Sequence, residues 1–242
     1  DEGIKIYCDV ATVPFGRRNT VHKVLELVKE RYDIPYGMDV DIEKRIPVSA
    51  GLAGGSTDGA AALIAANSVW GLNMSYDEMI SLGKEAGADI PFCLTGGTSL
   101  AEGIGEKITP LPPLKDVEIV IAKPPVSVST AEVYKNLKMD EIVSRPDTEG
   151  LIKALSENDI YYIARNMINV LETVTIKEYP IVDEIKRIMV EFGALGSLMS
   201  GSGPTVFGLF DDGEYAEKCY NRLKDYITDV YRVRPVGFVR EI

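Results

Sequence analysis

The sequence predicts an α+β protein of two domains, and three observations carry that expectation. Strand-like alternation in the first half runs into a glycine-rich loop and then an alanine-rich helix. A proline-rich stretch, Pro110-Leu111-Pro112-Pro113, then interrupts the pattern. The second half reads strand, helix, strand, strand, helix, strand, which is the ferredoxin-like order. Placing the boundary at the prolines gives domains of residues 1–112 and 113–242.

Composition narrows the classes. The 242 residues hold 26 Lys and Arg against 37 Asp and Glu, a formal net charge of −11, which disfavours a nucleic-acid backbone or an anionic membrane as partner. With 45% apolar and 26% charged residues the chain is globular rather than disordered or collagen-like. No run approaches the roughly 18 apolar residues of a membrane span, and Asp1-Glu2-Gly3 does not open a signal peptide. A soluble, cytoplasmic protein is expected. The chain also starts without Met and enters a strand almost at once, as though residues preceded it. Three cysteines without a CxxC pair, and His22 as the one histidine, disfavour a disulfide framework and a histidine-based zinc site.

The elements follow from periodicity. Ile4, Ile6, Cys8 and Val10 alternate with Lys5, Tyr7 and Asp9, the period of a half-buried strand. Asn19 or Thr20 caps a helix to about Tyr32 that gathers Val21, Val24, Leu25 and Val28 on one face, with His22 beside it as a partly buried structural residue. Met38, Val40 and Ile42 mark a second strand running into Ile46; its acids Asp39, Asp41 and Glu43 read as a solvated face rather than a metal site. A helix is expected from about Asp58 toward Trp70. Ser75-Tyr76-Asp77-Glu78 has the form of a capping box for a helix that Gly87 ends at its C′ position. After the prolines, Val117 to Ala122 is a continuous apolar strand. A later helix has Pro180 near its first turn and a stripe of Ile181, Ile185, Ile188 and Met189, ending at Gly193. Leu195 to Met199 and Thr205 to Phe210 flank Ser200-Gly201-Ser202-Gly203-Pro204, and a helix from about Glu214 to Tyr226 leads to a last strand near Val230 to Val239.

Three segments could carry chemistry. In Pro47-Val48-Ser49-Ala50-Gly51-Leu52-Ala53-Gly54-Gly55-Ser56-Thr57 the glycines let backbone turn tightly around a bulky anion, and the Ser56-Thr57-Asp58 helix start offers free N–H groups and a positive dipole end. By itself such a loop is a plain connection more often than a ligand site. It is neither a Walker A loop nor Gly-x-Gly-x-x-Gly. Asp89, in Gly87-Ala88-Asp89-Ile90-Pro91-Phe92, reads as a helix N-cap, as a general base for a substrate hydroxyl, or as both. The Ser200 to Pro204 stretch is a hairpin loop by default, or a second small-residue loop brought beside the first; it is not a nucleophile elbow.

Taken together these segments resemble the GHMP kinase superfamily of small-molecule kinases. Pro47 to Ser56 is similar to its glycine-loop motif Pro-x3-Gly-Leu-x-Gly-Gly-Ser, and Met199 to Thr205 to its C-terminal glycine motif. Ser56-Thr57-Asp58-Gly59-Ala60-Ala61, the stretch Leu82 to Phe92 and the stretch Gly96 to Glu106 resemble the branch that phosphorylates a cytidine-diphosphate-linked methylerythritol in the non-mevalonate isoprenoid pathway. Pro125 to Thr130, followed by Tyr134, resembles that branch's cytidine segment. The resemblance implies an N-terminal domain like part of ribosomal protein S5 and a ferredoxin-like C-terminal domain. It implies ATP phosphates on Pro47 to Thr57, magnesium accompanying ATP, and Asp89 as catalytic base toward the 2-hydroxyl. Thr130 and Tyr134 would hold the substrate, the Tyr134 ring stacking on cytosine. The implied partner is a small molecule with a cytidine diphosphate group, with no nucleic acid or membrane, acting on a monomer or homodimer. A mevalonate-type kinase and a non-catalytic ligand sensor are the alternative readings. The family's Pro-Ala-Lys-Ile-Asn-Leu segment, whose Lys assists the Asp, and the His that follows it have no counterpart in the sequence.

Overall fold

The computed structural model describes residues 3–105 and 107–238, which fall into two compact units. The first holds residues 3–48 and 53–110 and takes up the chain again at Phe238; the second holds Ser49–Leu52 and Leu111–Gly237. The changeover thus falls at the prolines, with one addition that a single boundary does not anticipate: four residues of the glycine loop belong to the second unit.

In the first unit β1 (Ile4–Cys8) and β2 (Met38–Ile42) pair in parallel, Ile4 opposite Met38 and Cys8 opposite Ile42. Alternation turns Ile6 inward and leaves Lys5 and Tyr7 in water. The strands are joined through α1 (Thr20–Tyr32), which starts where the Asn19 side chain accepts the Val21 N–H at 2.8 Å while its amide donates to the Pro14 carbonyl at 2.7 Å. The expected face of α1, Val21, Val24, Leu25 and Val28, is buried. It packs on α2 (Gly54–Val69) and α3 (Tyr76–Ala86) in one core with Leu63, Ala66, Leu82 and Ile90. At about 1.5–3 kcal/mol for each large apolar side chain fully removed from water, this core fixes where the first turns of the site helices stand. A short α4 (Ile90–Thr95) and a hairpin of β3 (Ser99–Glu102) and β4 (Lys107–Pro110) complete the unit.

The second unit begins with β5 (Glu118–Lys123), followed by α5 (Thr130–Asn136), α6 (Thr148–Glu157), α7 (Ile160–Asn166), α8 (Glu172–Glu178) and α9 (Ile181–Glu191). Then come β6 (Gly196–Met199), β7 (Val206–Phe210), α10 (Gly213–Lys224) and β8 (Asp229–Val233). The sheet order is β6-β7-β5-β8 with every pair antiparallel, so first and third strands lie at the centre and the ferredoxin-like expectation holds. Five helices occupy the first crossover rather than one. Val120, Ala122, Ile185, Met189, Phe210 and Leu223 form the core between the sheet and α9 and α10.

Several boundaries depart from expectation for identifiable reasons. The helix after the glycine loop starts at Gly54, not near Asp58, because Ala53 takes up the left-handed turn (φ 51°) and lets both glycines enter the first turn. Strand β2 stops at Ile42, where Lys44 turns inward. Gly87 ends α3 with extended backbone (φ −175°) instead of the left-handed C′ conformation. In α9 the buried stripe is Val182, Ile185 and Met189, one step round from the expected one at its start. The β3–β4 hairpin was not foreseen, since its short strands carry little alternation. Strand β8 ends at Val233, and Val239, the expected end of that strand, lies outside the described residues. Among the described residues no helix is long and apolar enough to cross a membrane.

Candidate active site

The glycine loop is an alternating backbone. Ser49 (φ 52°), Gly51 (φ 70°) and Ala53 (φ 51°) are left-handed, while Ala50 and Leu52 between them are not. Alternation of this kind turns successive N–H groups toward one side and makes a concavity suited to an anion. For Ser49 and Ala53, which carry a Cβ, left-handed backbone costs on the order of 1–3 kcal/mol each, and such strain persists where surrounding structure imposes it. At Gly51 the restraint is visible. A Cβ there would lie 2.5 Å from the Ser200 carbonyl oxygen and 2.9 Å from that of Gly203, so only glycine fits beside the second glycine loop. The Ser200 hydroxyl donates to the Gly51 carbonyl at 2.8 Å. The two loops singled out in the sequence therefore meet through Ser49–Leu52, within the second unit.

The other half of the loop belongs to the first unit. Ala53 precedes α2 without a side-chain cap, and the first intrahelical bond recorded there is from the Thr57 N–H to the Ala53 carbonyl at 2.8 Å. The N–H groups of Gly54, Gly55 and Ser56 thus have no partner within the helix and point outward along the positive end of its dipole. Lys44 runs beneath this turn. Its side chain is 6% exposed, its Nζ donates to Asp58 at 2.5 Å, and it sits 3.1 Å from where a Gly54 Cβ would be.

Asp89 occupies the N-cap position of α4, yet its carboxylate makes no capping hydrogen bond and the residue is exposed. The carboxylate thus lacks the hydrogen bond that the N-cap reading of Asp89 would give it. Its main-chain carbonyl accepts from the Cys93 N–H at 3.1 Å. The Cys93 thiol in turn meets the Thr57 hydroxyl at 3.6 Å, so the base candidate and the end of the first glycine loop flank one residue. Burial pushes the Cys93 thiol above its ordinary value against the Thr57 contact, and the Asp89 and Asp58 carboxylates add to the rise. Such surroundings disfavour the thiolate at Cys93.

In the second unit Thr130 is the first residue of α5, whose start Ser129 caps. Its hydroxyl is 2.8 Å from that of Ser202, which ties the expected substrate segment to the second glycine loop. Tyr134 is 62% exposed, its ring open for stacking. His22 lies on α1 with its Nδ1 3.3 Å from a Glu26 carboxylate oxygen but in no hydrogen bond among the described residues.

Sequence reasoning passed over Lys44, Asp58 as its partner, and Asn169 with Glu172, which hold the second loop from below. Lys44 could have been suspected as one of two cations, with Arg45, between a strand and the glycine loop. Nothing local distinguishes Asn169, which acts on residues some thirty positions away.

A glycine loop that runs into an uncapped helix, and a ferredoxin-like unit with a second glycine loop, are the features of the class of GHMP small-molecule kinases, and both halves of the chain match that class. Residues 19–97 match the GHMP kinases N terminal domain and residues 151–229 the GHMP kinases C terminal domain. The chain is 53% identical over 223 residues to the 4-diphosphocytidyl-2-C-methyl-D-erythritol kinase of Acetivibrio thermocellus, covering 92% of this chain and 79% of that protein. It is 50% identical over 234 residues to the enzyme of the same name from Clostridium novyi, with 97% and 84% covered. A crystal structure of 4-(cytidine 5'-diphospho)-2C-methyl-D-erythritol kinase superposes with a TM-score of 0.77 at 29% identity, covering 95% of this chain and 81% of that one. Homoserine kinase from Cytophaga hutchinsonii superposes at 0.81 with 25% identity, over 97% and 83%. The chain belongs to the 4-diphosphocytidyl-2-C-methyl-D-erythritol kinase family of the GHMP kinases.

Proposed function

We propose that the protein transfers the γ-phosphoryl group of ATP to the 2-hydroxyl of 4-diphosphocytidyl-2-C-methyl-D-erythritol, releasing ADP. The observation that carries the mechanism is the pairing of a strained, alternating N–H loop with an uncapped helix start and a carboxylate, Asp89, that does not serve as a cap. The N–H groups from Ala50 to Ser56 hold the phosphate oxygens. Asp89 orients the 2-hydroxyl and accepts its proton as the new P–O bond forms and the bond to the β-phosphate oxygen breaks. The transition state is loose, so positioning and charge stabilisation supply most of the acceleration. Thr130 and the ring of Tyr134 hold the cytidine end.

Magnesium entering with ATP would be held chiefly by phosphate oxygens and water, as is usual for this ion at nucleotide sites. The donors near the loop fit that mode better than a protein cage, since Asp58 is already engaged by Lys44. The ion would neutralise phosphate charge during transfer. The location is proposed to be the cytoplasm, where ATP is available.

Asp89→Asn tests the assignment. It should lower kcat by roughly a hundred- to ten-thousandfold, the range typical of acid–base groups, while ATP affinity stays within about twofold. An unchanged kcat would show that Asp89 takes no part in the proton transfer.

A further inference from the structure

One carboxamide grips the backbone of the second glycine loop on both sides of Ser200. Asn169, just before α8, donates from Nδ2 to the Met199 carbonyl at 2.8 Å and to the Gly201 carbonyl at 2.7 Å, spending both amide hydrogens on backbone either side of Ser200. Its Oδ1 accepts the Leu171 N–H at 3.0 Å, which locks the orientation of the amide. Glu172 supports the same strand end from α8, accepting the Met199 N–H at 2.8 Å and the Lys186 ammonium at 2.6 Å. Further along the loop, Thr175 donates to the Ser202 carbonyl at 3.1 Å. Ser200 lies at the middle of the Asn169 clamp and is the residue whose hydroxyl reaches Gly51.

We propose that Asn169 is a positioning residue for the nucleotide phosphates. It acts through Ser200, fixing the left-handed backbone at Ser49 and Gly51 so that the N–H groups of Ser49–Leu52 converge. Left-handed backbone at Ser49 does not hold itself, and a restraint from outside the loop is needed. The Ser200 hydroxyl and the close carbonyls of Ser200 and Gly203 supply that restraint only while the second loop keeps its height, and Asn169 sets the height. The substrate side is insulated, because Ser202, the partner of Thr130, is held separately by Thr175. This inference rests on the ATP-loop reading above, so its test measures nucleotide binding directly as well as turnover.

The test is calorimetric titration of the full chain and its Asn169→Ala and Ser200→Ala variants with magnesium ATP, alongside steady-state kinetics and thermal melts. Asn169→Ala should weaken nucleotide binding about tenfold or more and raise KM for ATP in step, with KM for the cytidine substrate within about twofold. That split is one that a general loss of packing would not produce. Ser200→Ala should weaken nucleotide binding a few-fold. The double variant should bind no more weakly than Asn169→Ala, because the Ser200 contact depends on the clamp. Unchanged nucleotide affinity in a folded Asn169→Ala variant, equal rises in both KM values, or additive losses in the double variant would overturn the proposal. Should Asn169→Ala fail to fold, Ser200→Ala decides, and unchanged affinity there overturns it. No nucleotide binding by the unaltered chain would instead bring down the kinase reading itself.

Discussion

At the scale of single residues, the site is built from groups whose ordinary roles are withdrawn. Asp89 stands where a cap belongs and does not cap, and Lys44, a residue type that normally stays in water, is buried under the first turn of α2 against Asp58. Removing one partner of a buried pair leaves the other charge uncompensated, which is more costly than removing both. Lys44→Met should therefore destabilise the protein by about 2 kcal/mol or more, a figure kept at the low end because Asp58 is a quarter exposed. It should also raise KM for ATP, since the Asp58 carboxylate would then face the phosphates unneutralised. Lys44→Met combined with Asp58→Asn should recover most of both losses. Thermal unfolding and ATP kinetics of the three variants check this; a double variant as poor as Lys44→Met would show that the lysine meets the nucleotide itself.

At the scale of elements, legibility followed the range of the interactions. The apolar face of α1 and the box at Ser75 and Glu78 are local patterns, and both stand where the sequence put them. The start of α2 was misplaced by four residues because Gly54 and Gly55, poor helix formers by propensity, enter the helix when Ala53 absorbs the turn. Asn169 was invisible for the opposite reason: its partners are distant in sequence. The three-residue helical turn at Met139–Glu141 shows a third case, an element that ends on an ion-paired carboxylate. The Lys138 and Lys177 ammonium groups hold the Glu141 carboxyl well below its ordinary 4.5, at about 2. A depressed carboxylate contributes stability that is fully present above its unfolded value and is lost as pH falls through the folded one. The stability gap between the unaltered chain and Glu141→Gln should accordingly narrow as pH drops from 4.5 toward about 2. Raised salt should narrow it at neutral pH as well, since the group is exposed. A gap that ignores both pH and salt in denaturant titrations would show that the pairs contribute nothing.

At the scale of the whole molecule, the net charge of −11 and the binding of a polyphosphate are compatible. The phosphate site proposed above is made of backbone N–H groups and a helix dipole, which supply positive potential without cationic side chains. The order of the second unit's sheet was readable from element sequence alone, because a ferredoxin-like order admits few pairings. The assignment of Ser49–Leu52 to that unit was not readable, since it depends on backbone contact with Ser200 and Gly203. The central claim is a choice of substrate, and the most direct measurement is ADP release in a coupled assay of the protein with magnesium ATP and one alcohol at a time. The account predicts turnover with 4-diphosphocytidyl-2-C-methyl-D-erythritol, with the new phosphate on its 2-oxygen, and none above background with mevalonate or homoserine. Turnover of mevalonate or homoserine, with none of the cytidine-linked substrate, would contradict it.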